Sequence, residues 1–336
     1  MPFIFLFYLL VFNGKIKNEG FDMTENENLL LKEINFNLSL NEISHKLKVG
    51  NNDVWKKIIE LENSGFLISK DVYDDGEMRL KFSLEKEKSN TIDILLCDDE
   101  KFRALVIADL HVGNVMENLS YLEKAYNYAR DNDIHIILNC GDVIDGSFSR
   151  GKQNIVDPFE QVSRLTKYYP FDKHILNLIC LGNHDYSMYN YNADIRKFLI
   201  NERCDLIPVG YGMSLMNIGK DQFVIKHPIG YNKWGPIQNK LVLVGHHHKM
   251  GFQVNSDNVL IFIPTLSDLH FGGDENPGMI DMQLSLEDGY IHSGQFTHYI
   301  VKNDLIRVSE NLFEFSLPHT IIDEKEIMPK KLQKKM

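Results

Sequence analysis

Four short apolar runs, at residues 102–108, 134–139, 175–181 and 241–244, each end in side chains able to hold a cation. The first leads into Asp109-Leu110-His111 and the second into Gly141-Asp142-Val143-Ile144-Asp145. The third leads into Gly182-Asn183-His184-Asp185 and the fourth into Gly245-His246-His247-His248. Between the last two, Lys226-His227-Pro228 sets one more histidine after a short strand-like stretch. Amphipathic segments at 119–131 and 158–168 separate the first three runs. Such alternation implies an α/β layer fold, and polar residues just beyond strand ends are where open α/β sheets collect their ligands. After residue 278 the apolar positions alternate through Met282, Leu284 and Leu286, then Phe296, Tyr299 and Val301, so the later strands are expected to be antiparallel.

The chemistry of these residues points one way. In extended backbone, positions i and i+2 face the same side, which lets Asp109 and His111 converge on one cation. Gly141 permits a tight turn, and Asp142 has two carboxylate oxygens with which to bridge two cations. Mixed imidazole and carboxylate donors suit Mn²⁺, Fe²⁺ or Zn²⁺ better than Ca²⁺ or an all-oxygen Mg²⁺ site. Mn²⁺ is the favoured expectation. Two cations about 3.5–4 Å apart are an arrangement that can clamp the attacking and leaving oxygens of an in-line displacement.

A single Asp-x-His is weak evidence, and any one histidine is by default a satisfied core or surface residue. The ordered set is a different matter. It resembles the calcineurin-like metallophosphoesterase family, whose pattern is Asp-x-His, Gly-Asp-x-x-Asp, Gly-Asn-His-Asp/Glu, a lone His, then Gly-His-x-His. All five blocks occur here in order, between residues 109 and 248. The resemblance implies a metallophosphoesterase-type β-sandwich flanked by helices. It implies that Asp109, His111 and His248 bind one metal, that Asn183, His227 and His246 bind a second, and that Asp142 bridges them. His184 becomes the general acid toward the leaving oxygen, and a hydroxide bridging the two metals the attacking group. Asp145 and Asp185 stand behind these residues, orienting ligands or tuning His184, and His247 is expected to point away. One departure narrows the substrate. Many relatives, notably the Ser/Thr protein phosphatases, carry arginine directly after Gly-Asp-x-x-Asp, and here that position is Gly146. Arg150 and Lys152 lie just downstream and read as a solvated loop.

Residues 23–84 read as a small unit of their own. Apolar residues around Leu29, Ile34 and Phe36 crowd as in an amphipathic helix. Ser39 and Glu42 form a capping box that opens a second helix over 40–47, and a third spans 52–63. Residues 66–72 and 78–82, around Asp75-Gly76, read as a hairpin. Three helices and a hairpin resemble a winged helix-turn-helix domain. Lys56 and Lys57 on its third helix are the candidates for nucleic-acid contact. Residues 24–84, however, hold eight Lys/Arg against eleven Asp/Glu. Protein docking is therefore the competing use.

The rest of the chain adds bounds. A net charge of −11 argues against broad polyanion binding. Cys97, Cys140, Cys180 and Cys204 form no Cys-x-x-Cys pair and read as reduced thiols in a cytoplasmic protein. The 1–22 extension is apolar only over residues 1–12, too few to span a bilayer. It reads as a start-site artefact with Met23 as the initiator, so no membrane association is expected. Residues 85–100 are expected to be a linker, 101–323 the phosphoesterase domain, and 324–336 a solvated lysine-rich tail. The expected function is a metal-dependent phosphodiesterase, read as a nuclease acting on nucleic acid. The alternatives are a phosphodiesterase or phosphatase of a nucleotide or other small phosphoester, and a non-catalytic DNA-binding or scaffold protein with a vestigial phosphoesterase fold.

Overall fold

The computed structural model describes residues 34, 37–83, 90–98, 100–147, 152–229, 241–255, 258–269 and 276–315. The expected N-terminal extension with Met23, Arg150 and the lysine-rich tail fall outside these residues, as does the first expected helix apart from Ile34. The chain divides into two compact units. One comprises Met1–Lys70 with Met78–Lys86, the other Asp71–Glu77 with Glu87–Met336.

In the smaller unit, helix α1 (Leu40–Leu47) begins at the expected capping box. The Ser39 hydroxyl accepts from the Glu42 N–H at 3.1 Å, and the Glu42 carboxylate accepts from the Ser39 N–H at 2.8 Å. These bonds satisfy two of the donors that a helix start leaves open. Helix α2 (Asn51–Asn63) buries Val54, Trp55, Ile58 and Leu61 on one face. Strands β1 (Ile68–Tyr73) and β2 (Met78–Phe82) follow; the end of β1 and the turn after it, with Gly76 at φ +81°, are counted with the larger unit.

In the larger unit, part of the expected linker is strand. Residues Thr91–Leu95 form β3, which runs parallel to β8 (Met213–Ile218). The cause is local. Thr-Ile-Asp-Ile alternates with period two inside an otherwise charged stretch, and Ile94 is buried.

A seven-stranded sheet has the order β15-β14-β13-β4-β5-β6-β7. Its parallel part is β4 (Lys101–Ile107), β5 (Ile136–Asn139), β6 (Leu176–Leu181) and β7 (Leu206–Tyr211). Antiparallel β13 (Gly278–Glu287), β14 (Tyr290–Ile300) and β15 (Ile306–Glu314) complete it. The second sheet runs, within this unit, β11 (Gly251–Val254), β12 (Val259–Phe262), β10 (Leu241–Val244), β9 (Asp221–Lys226), β8 and β3. Strands β9, β10 and β12 are parallel to one another.

Alternation within the strands assigns each face. Leu105, Ile107, Ile137, Ile179 and Leu181 pack under helices α3 (Leu119–Asp131), α4 (Pro158–Tyr168) and α6 (Ile195–Glu202), in one core with Leu122, Val162, Leu165 and Leu199. The opposite face meets the second sheet, where Phe102 lies 6.1 Å from Phe223. Buried on both faces, the central strands are apolar at consecutive positions, which explains the unbroken runs in the sequence. Tyr121, Tyr126 and Tyr128 all belong to the α3 core face. Cys140, Cys180 and Cys204 are buried thiols and Cys97 is exposed.

Candidate metal centre

The residues just past β4, β5 and β6 come from one sheet, and those past β9 and β10 from the other. Beyond β4 and β5 the chain does not stop pairing. The Asp109 N–H donates to Gly141 O at 2.9 Å, His111 to Asp142 O at 3.0 Å and Val112 to Val143 O at 3.1 Å. The backbone there is not extended, as the i, i+2 argument required. Asp109, His111 and Asp142 lie at φ +57°, +47° and +54°, and His246 and His248 at +79° and +56°. Left-handed turns, rather than strand alternation, aim these side chains. Such conformations cost non-glycine residues about 1–3 kcal/mol each and are held only by surrounding bonds.

The expected ligands fall into two groups, each drawing on both sheets. Asp109, His111 and His248 bring one donor atom apiece within 4.8 Å of the others, and so do Asp142, His227 and His246. In the first, Asp109 Oδ1 is 3.3 Å from His248 Nε2 and 3.8 Å from His111 Nε2. In the second, Asp142 Oδ2 is 2.9 Å from His227 Nε2. The same Asp142 oxygen is 4.0 Å from His111 Nε2, so this carboxylate stands between the groups. The other oxygen of each aspartate is anchored to backbone. Asp109 Oδ2 accepts from the His246 N–H at 3.0 Å, and Asp142 Oδ1 from the His184 N–H at 2.8 Å. Asn183 opens the one-turn helix α5 (Asn183–Tyr186). Gly182 before it has no room for a side chain, since a Cβ there would sit 2.2 Å from Asp142 Oδ1.

Ring tautomers follow from the partners. Nδ1 of His227 faces Cys140 O at 2.6 Å, that of His248 faces Leu269 O at 2.9 Å, and that of His184 faces Asp145 O at 2.6 Å. A carbonyl only accepts, so each Nδ1 carries the hydrogen and each neutral ring presents a lone pair at Nε2. His111 has its Nδ1 3.3 Å from the Asp145 carboxylate and its Nε2 3.1 Å from His248 Nε2. Two lone pairs facing at that distance need positive charge between them.

Buried atoms without a hydrogen-bond partner give the same answer. Asp109 Oδ1, Asp142 Oδ2, Asn183 Oδ1 and His227 Nε2 are among them. Asp142 Oδ2 and His227 Nε2 are close without hydrogen-bond geometry, as two ligands of one ion would be. Uncompensated buried carboxylate oxygens are costly, and metal coordination is one of the few remedies. The donor set fits divalent cations.

The charge balance makes the demand visible. Burial alone would raise the Asp109 and Asp142 carboxyls, but neighbouring histidines, His248 for Asp109 and His227 for Asp142, hold both well below the ordinary range. Burial would lower His111 and His227. Asp109 and Asp145 instead drive His111 up to about 10, and Asp142 drives His227 up to about 9. His246 is pushed down to about 4 by burial and by His227, and burial also lowers His184. Bound cations would supply the charge that protons otherwise bring to these rings.

Asp145 and Asp185 differ in what they touch. Asp185 accepts from the N–H of Gly182 at 2.8 Å and of Ile144 at 3.0 Å, pinning the α5 turn to the loop after β5. Burial and the Asp142 charge raise it to about 7. Asp145 turns its carboxylate to His111 and its carbonyl to His184. His247 belongs to neither donor group and lies edge-on to Phe262 at 5.2 Å. Lys152 is exposed. Gly146, at φ +61°, would bring a Cβ within 2.3 Å of both Ser187 Oγ and His184 O, so an arginine does not fit there.

Supporting residues escaped the motif reading. Thr265 donates to Asp109 O at 2.9 Å, Asn114 to Asp145 Oδ1 at 2.9 Å, and Gln153 to Asp145 Oδ2 at 2.7 Å. Fully buried Gln161 both donates to Gly146 O and accepts from Gly146 N–H. Of these only Gln161 left a readable trace, as a glutamine in the apolar stripe Pro158, Val162, Leu165.

No curated protein matches the chain. Among solved structures it is similar to YfcE, a phosphoesterase from E. coli, at 14% identity over 62% of this chain and 98% of that one, with TM-score 0.42. It is similar to an archaeal phosphodiesterase at 16% identity over 59% and 99%, TM-score 0.36. It is also similar to Zn²⁺-complexed Vps29 from Entamoeba histolytica at 13% identity over 64% and 100%, TM-score 0.35. The family model described as calcineurin-like phosphoesterase matches residues 102–275, just over half of the chain. That match takes in both donor groups and His184, and on it the chain belongs to the calcineurin-like phosphoesterases, metal-dependent hydrolases of phosphoester bonds.

Proposed function

We propose that this hydrolase cleaves phosphodiesters, with nucleic acid as the substrate class. In this reading Asp109, His111 and His248 hold one divalent cation, Asn183, His227 and His246 a second, and Asp142 contacts both. The observation that carries it is the pair of three-donor groups, one with Asp109 and one with Asp142, with unpartnered carboxylate oxygens aimed inward. Mixed imidazole and carboxylate donors favour Mn²⁺, with Fe²⁺ or Zn²⁺ as alternatives. When bound, such cations supply Lewis acidity toward a phosphoryl group and lower the pKa of water.

The protein's own groups do the rest. His184 Nε2 lies 3.9 Å from Asp142 Oδ2, and the ring in its doubly protonated form gives its Nε2 proton to the departing oxygen and returns to the neutral form, while Asp145 O holds the ring through Nδ1–H. Asp109 and Asp142 hold the anionic charge that keeps cations in place. Gly146 in place of arginine removes a phosphate-binding cation found in protein phosphatases and favours a diester. Nucleic acid is supported by the α1–α2 pair followed by a β1/β2 hairpin, with Lys56 exposed on α2. No described helix is long and apolar enough to cross a membrane.

The test is direct. Full-length protein with Mn²⁺ is assayed on single-stranded DNA, duplex DNA, RNA, a cyclic nucleotide and a nitrophenyl phosphodiester, with a chelator control. Chelator-sensitive cleavage of a polynucleotide is expected. Turnover of the cyclic nucleotide alone would move the substrate to small phosphoesters, and chelator-insensitive turnover would sink the metal assignment.

A further inference from the structure

The Asp145 carboxylate is fully buried, and its direction is set by two side-chain amides from different loops. Asn114, three residues after His111, donates to Oδ1. Gln153, seven residues after Gly146, donates to Oδ2 and at 2.7 Å also to Gly146 O. Held so, Oδ1 is 3.3 Å from His111 Nδ1 but 3.8 Å from His184 Nδ1, which bonds instead to the backbone carbonyl of Asp145. The carboxylate therefore serves the metal-ligand ring, and the carbonyl serves the acid ring. A carboxylate on Nδ1–H fixes the imidazole plane and raises its basicity at Nε2, the atom that faces Asp109 and His248.

We propose that Gln153, together with Asn114, is a positioning residue for the cation at Asp109, His111 and His248, acting by turning the Asp145 carboxylate onto His111. This rests on the ligand assignment above. Three physical consequences follow. Loss of the Gln153 amide loosens His111 and weakens that one cation. The second cation, held by Asn183, His227 and His246, is spared because none of the named bonds of those residues runs through Asp145. The proton on His184 is also spared, because a backbone carbonyl holds its ring.

The experiment is calorimetric titration of metal-free full chain with Mn²⁺, comparing wild type with Gln153→Met and Asn114→Leu. Gln153 is partly buried and its backbone bridges that of Asn114, so methionine replaces its side chain at similar volume and leaves the backbone pairing in place. The wild type is expected to bind two ions. Gln153→Met is expected to bind one of them about tenfold more weakly and the other unchanged. Its rate ratio between a nitrophenyl and an alkyl phosphodiester is expected to equal that of wild type. Equal affinities in Gln153→Met and wild type overturn the positioning role alone. So does equal weakening of both ions with a lowered melting temperature, which marks general loosening of the loop. A wild-type chain that binds no ion overturns both this role and the ligand assignment beneath it.

Discussion

Asp142 faces histidines from three segments, and its charge matters more than its shape. Replacing it by asparagine keeps an acceptor for the His184 N–H but removes the anion that His227 and His111 face. Asp142→Asn is expected to reduce cation binding and diester turnover to the level of chelated enzyme, with the circular-dichroism melt preserved. Wild-type Mn²⁺ affinity in that variant, read by calorimetry, would contradict a bridging role. His184 differs, because as the proposed acid its contribution would depend on the leaving group. A general acid contributes about 10²–10⁴-fold when the departing oxygen is basic. His184→Ala is expected to slow an alkyl diester by that order and a nitrophenyl diester far less. Equal slowing of the two would remove the acid role from this residue.

At the scale of elements, the parallel strands work because their ends are tied. Arg203, between α6 and β7, donates to Thr166 O, Tyr169 O and Pro170 O at the end of α4, and through two nitrogens to Asp205. Burial raises the Asp205 carboxyl, and Arg203 works against that. Removing the guanidinium strands a buried carboxylate and three carbonyls. Arg203→Met is expected to cost about 3–5 kcal/mol in urea unfolding, and Arg203→Met with Asp205→Asn distinctly less. A single-variant loss below 1 kcal/mol, the range of an exposed pair, would show the network to be incidental. The same element, β7, illustrates what a sequence conceals. Its Leu206 and Val209 are buried, but Pro208 and Gly210 interrupt the stretch and mask a strand paired parallel to β6. The strands that lead to the metal centre were legible because both their faces are buried. The 91–95 strand was hidden by surrounding charge.

For the whole molecule, the two donor groups join sheets far apart in sequence, so cation binding there would be coupled to folding. A ligand that binds only the folded state adds about 2.7 kcal/mol at a hundred times its dissociation constant. Mn²⁺ at such excess is expected to raise the melting temperature of the wild type, with the shift lost in Asp142→Asn. An unchanged wild-type melt across a Mn²⁺ series would mean that the groups do not bind it. The identity of the candidate ligands was readable from Asp109 to His248 because short motifs fall immediately after apolar runs. Their aim was not. It depends on left-handed backbone at Asp109, His111, Asp142, His246 and His248, and on Thr265, Asn114 and Gln153, which lie outside the motifs. Hydrogen bonds between distant loops leave no periodic trace.

Because each donor group spans both sheets at one rim of the sandwich, the ions would act there as a clasp across a seam. Peptide amides beside Gly141, Gly182 and Gly245 would then exchange with deuterium slowly in Mn²⁺ and faster in chelator, while those in β14 and β15, whose strands contribute no donor to either group, keep their pace. Metal withdrawal would unzip the protein from one end.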